Sequence, residues 1–298
     1  MLTKRYKGIA FPCENIAGIS LRSKQEQVSD HDNSNDKKGL PAWAVEDGPA
    51  LIHAIDCILK TKIKADGGRQ SCYNNRVRKT IRIELHCHTS HSGDGLISPQ
   101  KILEICQRKG IDRIVVTDHN TIAGARAAYA RDRQRVIVGE EIMTTSGELL
   151  AAFVQEEVPP GLSPAGTIRI LRDQGAFISV SHPFDPYRKG HWKIDDLLEI
   201  SPLVDAIEVF NARCMRPLYN EQALEFARQH ALLGTVGSDA HAAFEVGRAT
   251  MLLPDFEDAA GLKGSLASAR QEVKLSGAWV HLFSRYAKWT RRLRVNPG

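Results

Sequence analysis

The chain has 298 residues, 42% apolar and 25% charged, the composition of an ordinary folded protein able to bury a large core. No apolar run approaches membrane-spanning length, and no positive-then-apolar leader follows Met1. The net charge of +5 is uneven: residues 1–80 carry +5, residues 81–260 carry −7 and residues 261–298 carry +7, so the basic total says little about the middle of the chain.

Residues 1–80 read as a poorly ordered extension. Ser29 to Gly39 is polar and short of apolar side chains, Ala50 to Leu59 could form one amphipathic helix, and Asp66 to Ser71 reads as a linker. Arg76, Arg78 and Lys79 form a basic run best taken as solvated linker. From Thr80 an alternating strand leads into Glu84-Leu85-His86-Cys87-His88-Thr89-Ser90-His91-Ser92-Gly93-Asp94-Gly95. Strand residues i and i+2 point the same way, so His86 and His88 present two imidazoles on one face, with Asp94 in the loop beyond. Alone, such a pair is more often a pair of structural histidines than a metal site.

The pattern recurs. Ser98-Pro99 opens a helix that Gly110 ends, and the strand Ile111 to Thr117 runs into Asp118-His119-Asn120. Asn120 or Thr121 can cap a helix through Ala130, after which Arg135 to Gly139 leads into Glu140-Glu141. Ser163-Pro164 starts a helix to Gln174-Gly175, and Ala176 to Ser181 leads into His182-Pro183. Pro217 starts a helix ending near His230, and Leu232 to Ser238 leads into Asp239-Ala240-His241. A last strand, Thr250 to Leu253, stops at Pro254. The tail from Leu262 to Leu293 is helix-capable apart from Gly277; its aromatic residues interleave with arginines, as for contact with an anionic membrane or nucleic acid, but an amphipathic helix packed on the body with its basic face in water is the preferred reading.

Strand–helix alternation predicts an α/β fold with a largely parallel, closed or nearly closed sheet. Five successive strand ends bearing His, Asp or Glu are hard to assign to chance. A parallel barrel gathers such residues at the carboxyl ends of its strands, and the residue types are those of a multi-metal site. The six cysteines (Cys13, Cys57, Cys72, Cys87, Cys106, Cys214) form no CxxC pair, which points to reduced thiols and a cytoplasmic location.

The ordered array HxHTxxSxDG, DH, GxE, HP and SDAH resembles the PHP (polymerase and histidinol phosphatase) family of metal-dependent phosphoesterases over roughly residues 81–255. The resemblance implies a distorted (β/α)7 TIM-like barrel holding two or three Mn²⁺, Zn²⁺ or Fe²⁺ ions, flanked by the N-terminal extension and by a basic helical tail over 256–298. Carried over residue by residue, one ion would take His86, His88, Glu141 and Asp239, the glutamate being the second after Gly139. A second would share Glu141 and take His182; where many members place a further histidine, this chain has Glu148. A third would take Asp94, His119 and His241. Arg188, Asn211 and Arg213 lie in loops on the expected catalytic face and are candidate substrate contacts, whereas His91 and His191 are read as exposed loop histidines. The implied substrate is a phosphorylated small molecule, a nucleotide or an oligonucleotide end. A histidinol-phosphatase-like enzyme and a non-catalytic metal-binding regulatory module are the alternatives.

Overall fold

The computed structural model describes residues 79–277 and 279–295, with backbone alone for 288 and 290–295; the expectations for residues 1–78 lie outside it. In chain order the elements are β1 (Thr80–Glu84), α1 (Pro99–Lys109), β2 (Arg113–Val116), α2 (Ala123–Tyr129), β3 (Val136–Met143), β4 (Glu148–Ala152), α3 (Pro164–Asp173), β5 (Phe177–Val180) and α4 (Ile194–Ile200). They continue as β6 (Ala206–Asn211), α5 (Pro217–Gln229), β7 (Leu233–Gly237), β8 (Ala249–Pro254), α6 (Ala259–Leu266), β9 (Arg270–Val273) and α7 (Val280–Val295).

Local chemistry explains where the helices begin and end. Ser98 and Ser163 accept hydrogen bonds from Lys101 N and Gly166 N, each followed by a proline that loses nothing at a first helical position. Gly110, at φ +63°, closes α1 in the left-handed region that a side chain would resist. Neither residue proposed to cap α2 occupies the cap position, which is Ile122. Thr121 Oγ1 does accept from Ala123 N at 3.2 Å, while Asn120 turns its side chain to Met143 N at 2.8 Å.

The strands form one sheet in the order β7-β6-β5-β4-β3-β2-β1-β8-β9. Only half of its pairings are parallel: β1/β2, β2/β3, β5/β6 and β6/β7 run together, whereas β3/β4, β4/β5, β1/β8 and β8/β9 run oppositely. The largely parallel sheet is corrected by connection length. Thr144 to Gly147 is a tight turn, Thr144 N bonding Gly147 O at 2.9 Å, and a parallel return would need a crossover of a dozen residues.

The sheet curls until the continuation of β1 meets that of β7. Cys87 pairs in parallel with Ala240, His88 N donates to Ala240 O at 2.9 Å and Asp239 N to His86 O at 2.8 Å. The result is a nearly closed α/β barrel whose closure is made by the two segments richest in candidate ligands. The core is packed, with Ile83, Leu149, Ile178 and Ile207 buried, and a void of about 20 Å³ is lined by Leu85, Val115, Phe177 and Glu208.

Residues past 255 do more than form a helical tail. Leu262 and Leu266 of α6 enter the main core, and β9 extends the sheet beyond β8. Asp205 ties this region to the barrel, accepting from Arg172 of α3, Lys263 of α6 and Ile178 N of β5. Burial opposes its ionisation, but the bonds from Arg172 and Lys263 win and hold its carboxyl below the usual range. A depressed carboxylate contributes stability above its unfolded pKa, near 4, and loses it as pH falls further. Asp205→Asn should therefore cost about 1–3 kcal/mol in urea denaturation at pH 7 and progressively less in acid; a cost independent of pH would contradict the ion-pair account.

Candidate metal centre

The five strand ends converge. His86 Nε2 and His88 Nε2 face each other at 3.1 Å, each 3.3 Å from Glu141 Oε2, with Asp239 Oδ1 at 3.7 and 3.3 Å respectively. Glu141 Oε1 lies 3.2 Å from His182 Nε2, which is 3.4 Å from Glu148 Oε2. On the other side His241 Nε2 is 3.2 Å from Asp94 Oδ1, and His119 Nε2 is 3.7 Å from Asp94 Oδ2. His119 stands between the groups, its Nδ1 3.0 Å from Glu141 Oε2 and 3.7 Å from Glu148 Oε1. Among the described residues, three overlapping groups bring one ligand atom from each member within 4.8 Å of the others, close enough to hold an ion: His88, His119 and His241; His86, His88 and Glu141; His119, Glu141 and Glu148.

The histidines are oriented from behind. His86 Nδ1 donates to Glu208 Oε1 at 2.9 Å and His241 Nδ1 to Asp239 O at 2.8 Å, while His88 Nδ1 shares a hydrogen bond with Ser92 Oγ at 3.3 Å. The bonds to Glu208 and to the Asp239 carbonyl each hold a proton on Nδ1 and turn Nε2 inward, the arrangement found behind metal-ligating imidazoles. Asp239 Oδ1 is buried and accepts no hydrogen bond. Imidazole nitrogens and carboxylate oxygens converging in this way fit divalent cations.

Electrostatics agree with that fit. Burial alone would push the His119 imidazole down, yet Glu141 beside it carries it up to about 10. Burial also opposes the charges on His86, Glu141 and Asp239, but their mutual attraction, joined at Asp239 by Arg188, raises the imidazole and lowers both carboxyls. Burial and the nearby Glu141 raise the Glu148 carboxyl. Such a nest of negative charge is relieved by protons or by metal ions.

The backbone is forced at two of these residues, with φ +23° at His182 and +50° at Asp239. Non-glycine residues hold such angles where the surroundings over-determine them, commonly at functional sites. Close approach matters at two glycines: a Cβ on Gly237 would overlap His86 and the Glu208 carboxylate, and one on Gly190 would overlap the Glu148 carboxylate. Gly190→Ala should displace Glu148 and lower metal content with little change in melting temperature, as metal analysis and a thermal melt would show.

The loop residues divide. Arg188 reaches the centre, its Nη2 on Asp239 Oδ2 and its Nε 3.8 Å from Asp185 Oδ2. Arg213 and Asn211 are corrections to the expected substrate contacts. Arg213 is buried, its guanidinium bonded to Asp239 O, Val280 O and Ser284 Oγ and 3.4 Å from Glu245 Oε1. Asn211 is buried with its amide donating to Glu208 Oε2 and Asp239 Oδ2, so it positions Asp239 and has no hydrogen left for a ligand. His91 and His191 are exposed, as expected. Glu140 points away from the centre and accepts from Val158 N at 3.0 Å, consistent with the choice of Glu141.

Two contributors escaped the sequence, Glu208 and Ser181, whose Oγ donates to Glu141 Oε1 at 2.6 Å, while Ser92 stood in the HxHTxxSxDG motif without a role. For Glu208 there was a signal, a carboxylate inside the apolar run Ala206-Ile207-Glu208-Val209-Phe210, where a charge must find partners.

A nearly closed α/β barrel with His, Asp and Glu gathered at its carboxyl end defines a class of metal-binding barrel proteins. The comparisons narrow it: residues 84–173 match the model of the PHP domain, and residues 217–268 that of the PHP-associated region. An uncharacterized protein of Methanocaldococcus jannaschii is 34% identical over 157 residues, spanning 48% of this chain and 90% of that one. A second from the same organism is 35% identical over 173 residues, spanning 57% and 69%. The chain belongs to the PHP domain family. In fold it is similar to the crystal structure of a two-domain protein from Bacteroides vulgatus containing a predicted PHP-like metal-dependent phosphoesterase, with TM-score 0.55, 20% identity and 66% of each chain covered.

Proposed function

We propose that the protein is a metal-dependent phosphoesterase hydrolysing a phosphate ester: a small phosphomonoester, a nucleotide or an oligonucleotide end. The observation that carries this is the convergence of His86 Nε2, His88 Nε2, Glu141 Oε2 and Asp239 Oδ1, the two imidazole nitrogens 3.1 Å apart and each within 3.7 Å of both carboxylates. His86, His88, Glu141 and Asp239 would hold one ion, Glu141, Glu148 and His182 a second, and Asp94, His119 and His241 a third. When bound, Mn²⁺, Zn²⁺ or Fe²⁺ supplies the Lewis acidity that makes water a nucleophile near neutral pH and neutralises phosphoryl charge.

The chain's own residues do the rest. Glu208 and the carbonyl of Asp239 keep the His86 and His241 imidazoles in the binding tautomer, and Ser92 orients His88 through Nδ1. Arg188, 16% exposed beside Asp239, is the cation placed to receive a phosphate through its planar fork. A reducing compartment such as the cytoplasm suits the free, buried thiols of Cys87, Cys106 and Cys214.

Reconstitution with Mn²⁺, Zn²⁺ and Fe²⁺ should give two or three ions per chain, and chelation should abolish hydrolysis of p-nitrophenyl phosphate. Less than one ion per chain would sink the proposal; full loading without hydrolysis of any phosphate ester would favour a regulatory metal-binding module. Every residue named lies at His86 or later, so a chain starting at Arg78 should keep both its ions and its activity.

A further inference from the structure

Helix α7 has two opposed faces. Val280, Ser284 and Ala287 are buried, and Arg213 donates to Val280 O and Ser284 Oγ while His281 Nε2 donates to Arg213 O at 3.1 Å. On the far side Leu282, Tyr286 and Trp289 are 61%, 56% and 59% exposed. Their spacing of four and three residues places them in one row, and the sequence continues that spacing to Leu293. Single apolar side chains are normal on a surface; a row of large ones on a helix marks a contact.

Charge selects the occupant. From Val280 to Val295 the sequence holds Arg285, Lys288, Arg291, Arg292 and Arg294 and no acidic residue. Pairing with the same helix of a second copy would oppose five positive charges to five. A single-stranded nucleic acid would stack its bases on successive ring faces, whereas this row opens on the aliphatic Leu282 and its two rings are tilted 42° to each other instead of forming parallel platforms. A bilayer bearing anionic lipid satisfies both features. The row would enter the boundary of the acyl chains, Tyr286 and Trp289 would sit at headgroup level, and exposed Arg285 would meet lipid phosphates, with the helix's net positive charge adding attraction. The helix is about 24 Å long, and no helix among the described residues is long and apolar enough to cross a membrane, so α7 would lie in the surface.

We propose that α7 docks the protein on an anionic lipid bilayer through Leu282, Tyr286 and Trp289. The test uses the full chain and vesicles of phosphatidylcholine with or without phosphatidylserine. The protein should float with the phosphatidylserine vesicles, lose binding as salt rises, and show a blue-shifted tryptophan emission when bound. The triple variant L282S/Y286S/W289S should bind roughly tenfold or more weakly, with unchanged circular dichroism and metal content, because all three side chains are more than half exposed. R285E alone should weaken binding to the anionic vesicles only. Absence of vesicle binding by the parent, equal binding by parent and triple variant, or loss in the triple variant of oligonucleotide binding instead of vesicle binding would each overturn the proposal.

Discussion

Glu208→Ala is expected to reduce metal affinity about 10–100-fold at the His86 end of the centre while the protein still folds. Glu208 Oε1 holds His86 Nδ1, and its Oε2 accepts from His182 N at 2.9 Å and from Asn211 Nδ2 at 3.1 Å; Asn211 in turn holds Asp239. One carboxylate thus orients residues proposed for two ions and steadies the forced backbone of His182. Removing it leaves the His182 and Asn211 donors unsatisfied, at about 1–3 kcal/mol each, so a lower melting temperature should accompany the loss. Glu208→Gln separates the two effects. Its amide can still accept from His182 N, but an NH₂ facing His86 Nδ1 would drive the imidazole proton to Nε2, where an ion would bind. Glu208→Gln should therefore keep the fold and lose metal, measured as ions per chain by elemental analysis. Normal loading in both variants would show that Glu208 is structural only.

The second large effect is expected at Glu148, which the resemblance singled out as a departure from histidine. The carboxylate is buried, its Oε2 3.4 Å from His182 Nε2 and its Oε1 3.7 Å from His119 Nδ1, with Gly190 leaving the room it fills. Glu148→Gln should lower total content by about one ion, leaving the ion at His86 and His88 in place. Glu148→His should restore the count and shift preference toward Zn²⁺, since imidazole is the softer ligand. Unchanged metal content and preference in both variants would remove Glu148 from the site.

Strand parity and capping are local, and local patterns carry far in this chain. The alternation that ends at His86 and His88 decides that both imidazoles face one way, and Ser98-Pro99, Ser163-Pro164 and Gly110 mark helix ends through bonds made within a few residues. Adjacent Glu140 and Glu141 point to opposite sides, so only one could join the centre, and the side that faces it depends on the pairing of β3.

What required tertiary structure is non-local. Arg188 and Arg213 are both loop arginines in the sequence; folding sends one to Asp239 Oδ2 and surrounds the other with Glu245, Val280 and Ser284, remote in the chain. The partnership of Glu208 with His86 spans 122 residues and exists only because β6 and the continuation of β1 meet inside the barrel. The chain by itself determined the elements and the residue types at their ends, because backbone geometry and hydrogen bonding act over a few residues. Closure through Cys87 and Ala240, the antiparallel return of β4, and the choice of which polar side chains face the centre were decided by packing between distant segments, where burial makes an unpartnered charge costly.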